Sequence, residues 1–306
     1  MTPRRIGSTP FRTGKLALGC VTFGREIDEP RSREVLSYAF DHGITLFDTA
    51  EAYGGSASER ILGRWIEDTG TRDSLVLETK TLAHRPEDVE RAIVGSLERL
   101  RTDCIDLYLL HRLSPETPLE ETLDALKAAI ERGHVKAIGC SNCTTEQLRE
   151  ALAISHRRGL PRFEVQQPVY NLAARGIETG FLPLCRAENI GAIGYSPLGA
   201  GFLSGKYLES IPAGSRFDII PGHQNIYFNE SGFAIVRRLA ELSERARIPM
   251  VRLAMAWALR NPDLTAILVG ARTTAQVDNA IQALGQTLPE EWFEEMDRFS
   301  QPALIS

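Results

Sequence analysis

The chain has 306 residues, of which 43% are hydrophobic and 25% are charged, and its formal net charge at neutral pH is −5. This composition is typical of a folded globular protein and excludes global disorder. The acidic balance and the lack of a basic block argue against nucleic-acid binding through the phosphate backbone. No apolar run is long enough for a membrane helix, and no secretory signal follows the basic N-terminal residues, so no membrane contact is expected.

The cysteines give a second indication of the cellular compartment. Five cysteines are an odd number in a long chain, which favours a reducing compartment over a disulfide framework. Cys140 and Cys143 form a lone C-x-x-C pair, without a second pair or a histidine at zinc spacing. The sequence therefore predicts a cytoplasmic protein with no metal site.

A short apolar run followed by an amphipathic stretch recurs along the whole chain, which predicts alternating strands and helices. In chain order the predicted strand and helix of each unit are 15–20 with 31–41, 45–48 with 58–67, 74–80 with 86–100, 105–111 with 118–132, 135–141 with 144–157, 163–167 with 178–188, 190–195 with 233–247 and 250–261, and 265–269 with 274–283. A hairpin is predicted at residues 4–15, with its turn at Thr13 and Gly14, and a final helix at residues 289–299.

Eight alternating units in a chain of this length favour a parallel sheet closed into a (β/α)8 TIM barrel, as a single α/β domain over residues 1–306. The alternative architecture is an open doubly wound sheet. The segment at residues 202–229 is too long for a plain connection, and it is either a lid or binding loop or a disordered tip.

Polar residues at the ends of the predicted strands indicate where the chemistry occurs, because a barrel of this kind acts at the carboxyl ends of its strands. Asp48 ends the second predicted strand, and Tyr53 follows five residues later. Lys80 ends the third strand and His111 the fourth. Since these strands are neighbours in a barrel, the four side chains are expected to converge.

The pKa values of these groups suggest a reaction. A protonated Lys80 could lower the pKa of Tyr53 by about three units, and Asp48 would keep Lys80 protonated. His111 could donate a hydrogen bond to a carbonyl oxygen. Each residue taken singly is more commonly a buried ion pair or core packing, but their convergence favours a site. Together these four residues can donate a proton to a carbonyl oxygen as it becomes an alkoxide. Reduction of a carbonyl also needs a hydride donor, which the four residues do not supply, and this indicates a nicotinamide cofactor.

Seven segments carry a family pattern. They are LFDTA at 46–50 with Tyr53 and Gly54 after it, ETK at 78–80, DLYLLH at 106–111, GCSN at 139–142, QPVYN at 167–171, YSPLG at 195–199, and GAR at 270–272 with Gln276 and Asn279 after it. In these segments the chain resembles the aldo-keto reductases over nearly its full length. The resemblance implies a (β/α)8 barrel that binds NADPH without a Rossmann domain.

The resemblance also implies roles for individual residues. The catalytic set would be Asp48, Tyr53, Lys80 and His111, with Tyr53 as the general acid. The nicotinamide would be held by Ser141, Asn142 and Gln167 and stacked on Tyr195, and the pyrophosphate would be held by Ser196, Leu198, Gly199 and Lys206. The adenosine end would lie at Gly270, Arg272, Gln276 and Asn279. An arginine at this end can bind a 2′-phosphate, so NADPH/NADP+ is expected rather than NADH.

These observations predict an NADPH-dependent oxidoreductase that reduces an aldehyde or ketone, or oxidises an alcohol or sugar in the reverse direction. Polar residues near the predicted site, namely His84, Arg85, Arg112 and Asn142, favour a polar or sugar-like small molecule. The alternative function is a redox-sensing regulatory subunit that binds NADPH with little turnover.

Overall fold

The computed structural model describes residues 2–301, so the two ends of the predicted 1–306 domain lie outside the described residues. The strands and helices in chain order are β1 (Arg4–Arg5), β2 (Arg12–Thr13), β3 (Leu16–Gly19), α1 (Glu29–Asp41), β4 (Leu46–Asp48), α2 (Ala57–Thr69), β5 (Val76–Thr81), α3 (Pro86–Leu100), β6 (Ile105–Leu110), α4 (Leu119–Glu131), β7 (Val135–Ser141), α5 (Thr145–Arg158), β8 (Val165–Gln167), α6 (Phe181–Ala187), β9 (Gly191–Gly194), α7 (Arg216–Ile219), α8 (Gln224–Tyr227), α9 (Glu230–Ala246), α10 (Met250–Arg260), β10 (Ala266–Gly270), α11 (Thr274–Gly285) and α12 (Glu290–Phe299). None of the helices within residues 2–301 is long and apolar enough to cross a membrane.

Eight strands form one closed barrel in the order β10–β3–β4–β5–β6–β7–β8–β9. Each neighbouring pair is parallel, and β10 pairs with both β3 and β9, which closes the ring. The predicted (β/α)8 barrel is confirmed. The open-sheet alternative is wrong, because an open sheet would leave two strands with an unpaired edge.

Capping residues in the sequence mark where several helices begin. The carboxylate of Asp28 accepts a backbone N–H at the start of α1, and Asn229 does the same for α9. At α5, Thr144 and Gln147 form a reciprocal capping box. These caps satisfy N–H groups that the first turn of a helix leaves unpaired, and they place the starts of α1 and α9 two and three residues before the predicted positions 31 and 233.

The predicted N-terminal hairpin is present, since β1 and β2 pair in antiparallel register. Its turn spans residues 6–11, however, and not residues 13–14 as the sequence suggested. Gly7 explains the difference: it has a φ of +53°, and a Cβ there would lie 2.6 Å from the backbone nitrogen of Gly191. The hairpin thereby seats Ile6 in the apolar interior at the amino-terminal end of the barrel.

The two-residue period of the strands sends alternate side chains into the barrel and toward the helices. On β5, Leu77 packs in the helix-facing core and Thr79 bonds to Glu59 of α2, whereas Val76 lies among the interior apolar residues. Glu78 and Lys80 follow Val76 on the interior face. Apolar side chains therefore fill the barrel interior near the amino-terminal ends of the strands. Polar side chains take their place near the carboxyl ends.

Helix α6 is shorter than the predicted 178–188, because Glu178 is used in the turn before it. Its carboxylate accepts two hydrogen bonds from the guanidinium of Arg175 and one from the hydroxyl of Tyr170. These bonds hold the chain in a turn until residue 180. The C-terminal helix predicted at 289–299 is present as α12.

The segment at residues 202–229 folds back on an aromatic cluster instead of crossing the surface as a plain loop. The rings of the cluster are those of Phe202, Tyr207, Phe217, Tyr227, Phe228 and Phe233. Tyr207 and Phe217, for example, are both buried and meet edge to face with centroids 4.6 Å apart. This packing holds the segment, including α7 and α8, beside the carboxyl end of the barrel.

Candidate active site

A cleft of about 710 Å³ opens at the carboxyl ends of the strands, a volume suited to a small-molecule ligand. Most of the residues that the sequence assigned to a site line this cleft. They are Asp48, Tyr53, His111, Ser141, Asn142, Gln167, Tyr195, Ser196, Leu198, Lys206, Gly270, Arg272, Gln276 and Asn279.

Two of the predicted site residues do not line the cleft. Lys80 is fully buried beneath it and meets the cleft only through its neighbours. Gly199 has a φ of +55°, and a Cβ there would lie 3.2 Å from the ring of Tyr227. In this structure Gly199 shapes the loop after β9 and does not contribute to the cleft surface.

The residues expected to favour a polar substrate are placed differently from the prediction. Asn142 lines the cleft, but His84, Arg85 and Arg112 do not. The ring Nε2 of His84 lies 2.7 Å from the carbonyl oxygen of Arg112, so these two loops contact each other at the surface. Of the four residues, Asn142 is therefore the one placed to contact a ligand in the cleft, and the polar or sugar-like substrate stays a prediction.

Lys80 and Asp48 form a buried ion pair at the floor of the cleft. The Lys80 ammonium donates to Oδ1 of Asp48, and to the carbonyl oxygen of Thr49 at 2.7 Å. Burial by itself would lower the pKa of Lys80, but the interactions with Asp48, and to a smaller extent with Tyr53 and Glu78, together outweigh burial and raise the pKa above its ordinary value. Lys80 therefore stays protonated at neutral pH.

Tyr53 lies directly over this ion pair, with its ring centroid 4.9 Å from Nζ of Lys80. Burial raises the pKa of Tyr53, and the charge of Lys80 offsets only part of that rise. Lys80 does lower this pKa, as expected, but the expected net fall of about three units does not occur, because desolvation of the phenolate outweighs its attraction to the ammonium. Tyr53 is a firmly protonated phenol, which can give its proton only to a strongly basic atom such as a developing alkoxide.

His111 stands beside Tyr53, with the two rings edge to face and their centroids 5.6 Å apart. Burial, with a further contribution from the charge of Lys80, lowers the pKa of His111 to about 4. The imidazole is thus neutral at physiological pH. Its Nδ1 is buried without a partner among the described residues, which leaves Nε2 as the ring nitrogen available to a ligand in the cleft.

The residues assigned to the nicotinamide are joined by hydrogen bonds across neighbouring strand ends. Asn142, with a φ of +55°, donates from Nδ2 to the carbonyl oxygen of His111 at 3.0 Å. Its Oδ1 accepts from the hydroxyl of Tyr195 at 2.7 Å. Ser141 donates to the carbonyl oxygen of Gln167 at 2.8 Å. These bonds hold four cleft residues in fixed positions on β7, β8 and the end of β9.

Glu78 was quoted in a sequence motif but given no role, and it lies buried just below the catalytic set. The register of β4 and β5 pairs Glu78 with Asp48, and Nε2 of Gln167 donates to a carboxyl oxygen of each. Burial, followed by the charge of Asp48, raises the pKa of Glu78 well above its ordinary value. The sequence signal was its position on the same strand face as Lys80.

The other end of the cleft is cationic. Lys206, Arg216, Arg272 and Arg25 line it, and Glu26 is the acidic residue among them. Nη1 of Arg216 donates to Glu26 at 2.6 Å, and Arg25 pairs with the same carboxylate, also at 2.6 Å. This ion pair joins the 202–229 segment to the loop after β3. The pairing was not predicted from the sequence, since nothing local connects residues so far apart.

The backbone of the loop after β9 is strained beside these cations. Ser196 and Ala200 have φ of +55° and +56°, and Gly199 and Gly201 are also left-handed. Non-glycine residues in this region cost on the order of 1–3 kcal/mol each and cluster at ligand sites. The N–H groups of Gly199 and Gly201 donate to the carbonyl oxygens of Ser196 and Leu198, so these bonds hold the tight turn beside the cations.

The residues assigned to the adenosine end are held by contacts around the start of α11. The backbone N–H of Arg272 donates to Oε1 of Gln276 at 2.7 Å, and Nε of Arg252 donates to Oδ1 of Asn279 at 3.3 Å. The guanidinium of Arg272 makes one weak contact, at 3.4 Å, with the carbonyl oxygen of Gly214. Most of its N–H groups therefore remain available for a phosphate.

The residues present fit a long nicotinamide dinucleotide. One end of the cleft has amide and aromatic side chains above the phenol of Tyr53, and the other has four cations beside a tight backbone turn. Within residues 2–301, no group of three or more His, Cys, Asp or Glu side chains is placed to hold a metal ion.

Comparison with known proteins points to one family. The model of the aldo/keto reductase family matches residues 15–301. Among curated proteins, the chain is 34% identical to aldo-keto reductase YhdN of Bacillus subtilis, over 94% of this chain and 89% of that protein. It is 31% identical to the NADP(+) aldo-keto reductase yakc of Schizosaccharomyces pombe, over 96% and 89%. It is also 31% identical to a probable voltage-gated potassium channel subunit beta of Arabidopsis thaliana, over 93% and 91%.

Proposed function

The chain belongs to the aldo/keto reductase family and is an oxidoreductase that acts on carbonyl groups, and from this premise we propose that it uses NADPH and that Tyr53 is its general acid. The observation that carries the proposal is one continuous cleft with two unlike ends. A protonated phenol over a buried ion pair lies at one end, and a cluster of cations lies at the other.

The cofactor assignment rests on the fit of individual residues. Asn142 and Gln167 would hold the carboxamide, and Tyr195 would stack on the nicotinamide ring. Lys206, together with the strained turn after β9, would hold the pyrophosphate. Arg272 would bind the 2′-phosphate, since a guanidinium forms paired hydrogen bonds with phosphate oxygens. NADP(+) in the name of the fission-yeast relative supports NADPH over NADH.

The chain's own residues supply the acid half of the reaction. Bound NADPH provides the hydride for the carbonyl carbon. Tyr53 donates its proton to the carbonyl oxygen as negative charge develops there, and the Lys80 ammonium below it stabilises the phenolate that remains. His111, being neutral, donates a hydrogen bond that aims the carbonyl oxygen at Tyr53. Asp48 keeps Lys80 charged throughout.

The substrate class proposed is a small aldehyde, ketone or sugar-like carbonyl compound, or the corresponding alcohol in the reverse direction. The first measurement is consumption of NADPH by the purified protein, followed by absorbance, with a panel of aldehydes, ketones and oxidised sugars. NADPH binding is measured separately by fluorescence titration. Turnover that disappears in Tyr53→Phe supports the proposal, whereas turnover that survives this substitution contradicts it.

The regulatory alternative has one observation in its favour, namely that plant relatives carry the name of a potassium channel beta subunit. A regulatory subunit of that kind would bind NADPH tightly, release it slowly and turn over no member of the panel. The same two measurements therefore separate the alternatives, because the enzyme and the sensor differ in turnover while both bind the cofactor.

A further inference from the structure

Glu78 is a buried carboxyl group that the reaction as described does not use. It is 0% exposed, in the middle of β5 and inside the barrel. Its Oε1 accepts a hydrogen bond from Nε2 of Gln167, and its Oε2 has no partner among the hydrogen bonds of the described residues. A carboxylate with two lone pairs on a buried, unpartnered oxygen would be strongly disfavoured. Oε2 of Glu78 therefore needs either a hydrogen-bond donor beside it or a proton of its own.

Asp48 lies next to Glu78, close enough that the two carboxyl groups share one donor. Nε2 of Gln167 is 3.0 Å from Oδ1 of Asp48 and bonds to Oε1 of Glu78 at the same time. Two carboxyl groups in such contact repel if both are ionised, and they attract if one of them carries a proton. The proton can then lie between them as an O–H donor on one and an acceptor on the other.

The charges around Glu78 favour a single proton on this pair. The groups that face it are Asp48 from β4, Lys80 from its own strand, Gln167 from β8 and Tyr53 above. Lys80 is the cation in this set, and Asp48 receives its hydrogen bond. With Glu78 ionised the buried cluster would carry a net charge of −1, and with Glu78 protonated it is neutral. The raised pKa of Glu78, caused by burial and then by Asp48, agrees with the neutral form.

The same contacts determine how the amide of Gln167 is oriented. The atom bonded to both Asp48 and Glu78 must be the nitrogen, because ionised Asp48 can only accept. Both N–H bonds of Gln167 are then directed into the barrel. Its carbonyl oxygen, Oε1, is left for the cleft that Gln167 lines, where it can accept from the NH2 of a carboxamide.

We propose that Glu78 is a positioning residue that holds a proton at neutral pH, donating it to Asp48 while it accepts from Gln167. It acts through these two neighbours and does not touch the cofactor or substrate. It keeps the buried cluster neutral, which keeps Tyr53 free of an extra negative charge below it, and it fixes the Gln167 oxygen toward the nicotinamide. The cofactor part of this inference rests on the proposed function, but the protonation of Glu78 does not.

Glu78→Gln is the decisive variant, because an amide reproduces a protonated carboxyl with one acceptor and one donor. We expect its NADPH Kd, its kcat and the pH dependence of kcat to stay within about twofold of the native values. If Glu78 were ionised, its charge would raise the pKa of Tyr53, and Glu78→Gln would move the alkaline loss of reduction to lower pH. Such a movement would overturn the proposal.

Glu78→Leu removes both the proton that Glu78 donates and the oxygen that accepts from Gln167, while keeping a side chain of similar size. The Gln167 amide then keeps its bond to Asp48 but loses the second bond that fixes it, so one buried N–H is left unpaired. We therefore expect NADPH affinity to fall about tenfold, the loss typical of an unpaired buried polar group. Val76→Ala is the matched control, since Val76 lies two residues earlier on the same interior face. It should lower the thermal midpoint without changing NADPH affinity. An unchanged affinity in Glu78→Leu would contradict the positioning role.

Infrared difference spectroscopy of the cofactor-free protein tests the proton directly, even if Glu78→Leu does not fold. The spectrum of native protein minus Glu78→Gln at neutral pH should show the carbonyl stretch of a protonated carboxylic acid, shifting in deuterated water. A carboxylate band in its place would overturn the proposal. Because this measurement needs no NADPH or turnover, a protein that fails to reduce any carbonyl would contradict the proposed function and leave the protonation result standing.

Discussion

The two ends of the cleft are built in different ways. The end proposed to be catalytic consists of side chains on strands β4, β5 and β8, namely Asp48, Lys80 and Gln167, which are buried and joined by hydrogen bonds through Asp48. The end proposed to bind phosphate is lined by charged side chains outside the strands, such as Lys206 and Arg216, which belong to one long segment that packs on its own aromatic cluster. One end is part of the barrel, and the other is attached to it.

This difference suggests that the two ends of the cleft have different roles. Strand residues cannot move without disturbing the barrel, which suits groups that must be held near a reacting atom. A segment that is held by a few rings and one ion pair across the cleft can open without unfolding the barrel, which suits a cofactor that has to be exchanged. Substitutions at the catalytic end should therefore change the chemical step, and substitutions at the phosphate end should change cofactor binding.

The strongest test of this difference in roles is Tyr53→Phe. Removing the proton donor should lower the rate of carbonyl reduction by about 10²–10⁴-fold, the usual contribution of a general acid, while NADPH affinity stays unchanged. Single-turnover absorbance and a fluorescence titration measure the two quantities. Tyr108→Phe is the control, because it removes a buried hydroxyl from β6 on the helix-facing side. A large loss of NADPH affinity in Tyr53→Phe would show that the two ends are not separate.

Arg272→Ala tests the opposite end. It should weaken NADPH binding by about 1.5–3 kcal/mol, as expected for a lost charged hydrogen bond, and barely alter NADH binding. Fluorescence titrations with the two cofactors give the comparison. Arg238→Ala is a suitable control, since Arg238 is exposed on α9 and pairs with Glu241. Equal losses for NADPH and NADH would contradict the assignment of Arg272 to the 2′-phosphate.

Phe217→Leu probes the packing that holds the 202–229 segment. Phe217 is fully buried in the aromatic cluster, and a change to leucine should weaken the local packing by about 1 kcal/mol. We expect NADPH to dissociate about fivefold faster with no change in the single-turnover rate. Stopped-flow displacement measures the dissociation. Phe163→Leu, in the core next to β8, should lower stability and leave dissociation unchanged. If both variants release NADPH equally fast, the segment is not what controls release.

The smallest effect expected near neutral pH is the pH dependence that His111 gives to stability. Its pKa falls from 6.5 to about 4 on folding, mainly through burial, so the unfolded chain binds a proton that the folded protein does not. The free energy of unfolding should fall by up to about 1 kcal/mol between about pH 6.5 and 5.5 from this group, and continue to fall toward pH 4. Urea unfolding measures it, and His111→Asn should make the pH dependence shallower in this window. An identical pH dependence in His111→Asn would exclude His111 as its source.

Strand-end positions were sufficient to predict which residues meet at the catalytic end. Asp48, Lys80 and His111 are brought together because parallel strands of a barrel end at the same face. Loop positions were not sufficient, as His84 and Arg112 show, because a loop side chain can turn to the surface. The pairing of Glu26 with Arg216, which are 190 residues apart, has no local signal at all.

The sequence by itself determined the barrel, since apolar periodicity, capping residues and the alternation of strand and helix are local properties that each segment carries. It also indicated the four residues over which the reaction is proposed to occur. Only the tertiary structure decided the direction of the pKa of Tyr53, the contact of Glu78 with Asp48 and Gln167, and the ion pair across the cleft. These depend on desolvation and on distances between distant segments, and both are set by everything that packs around a group.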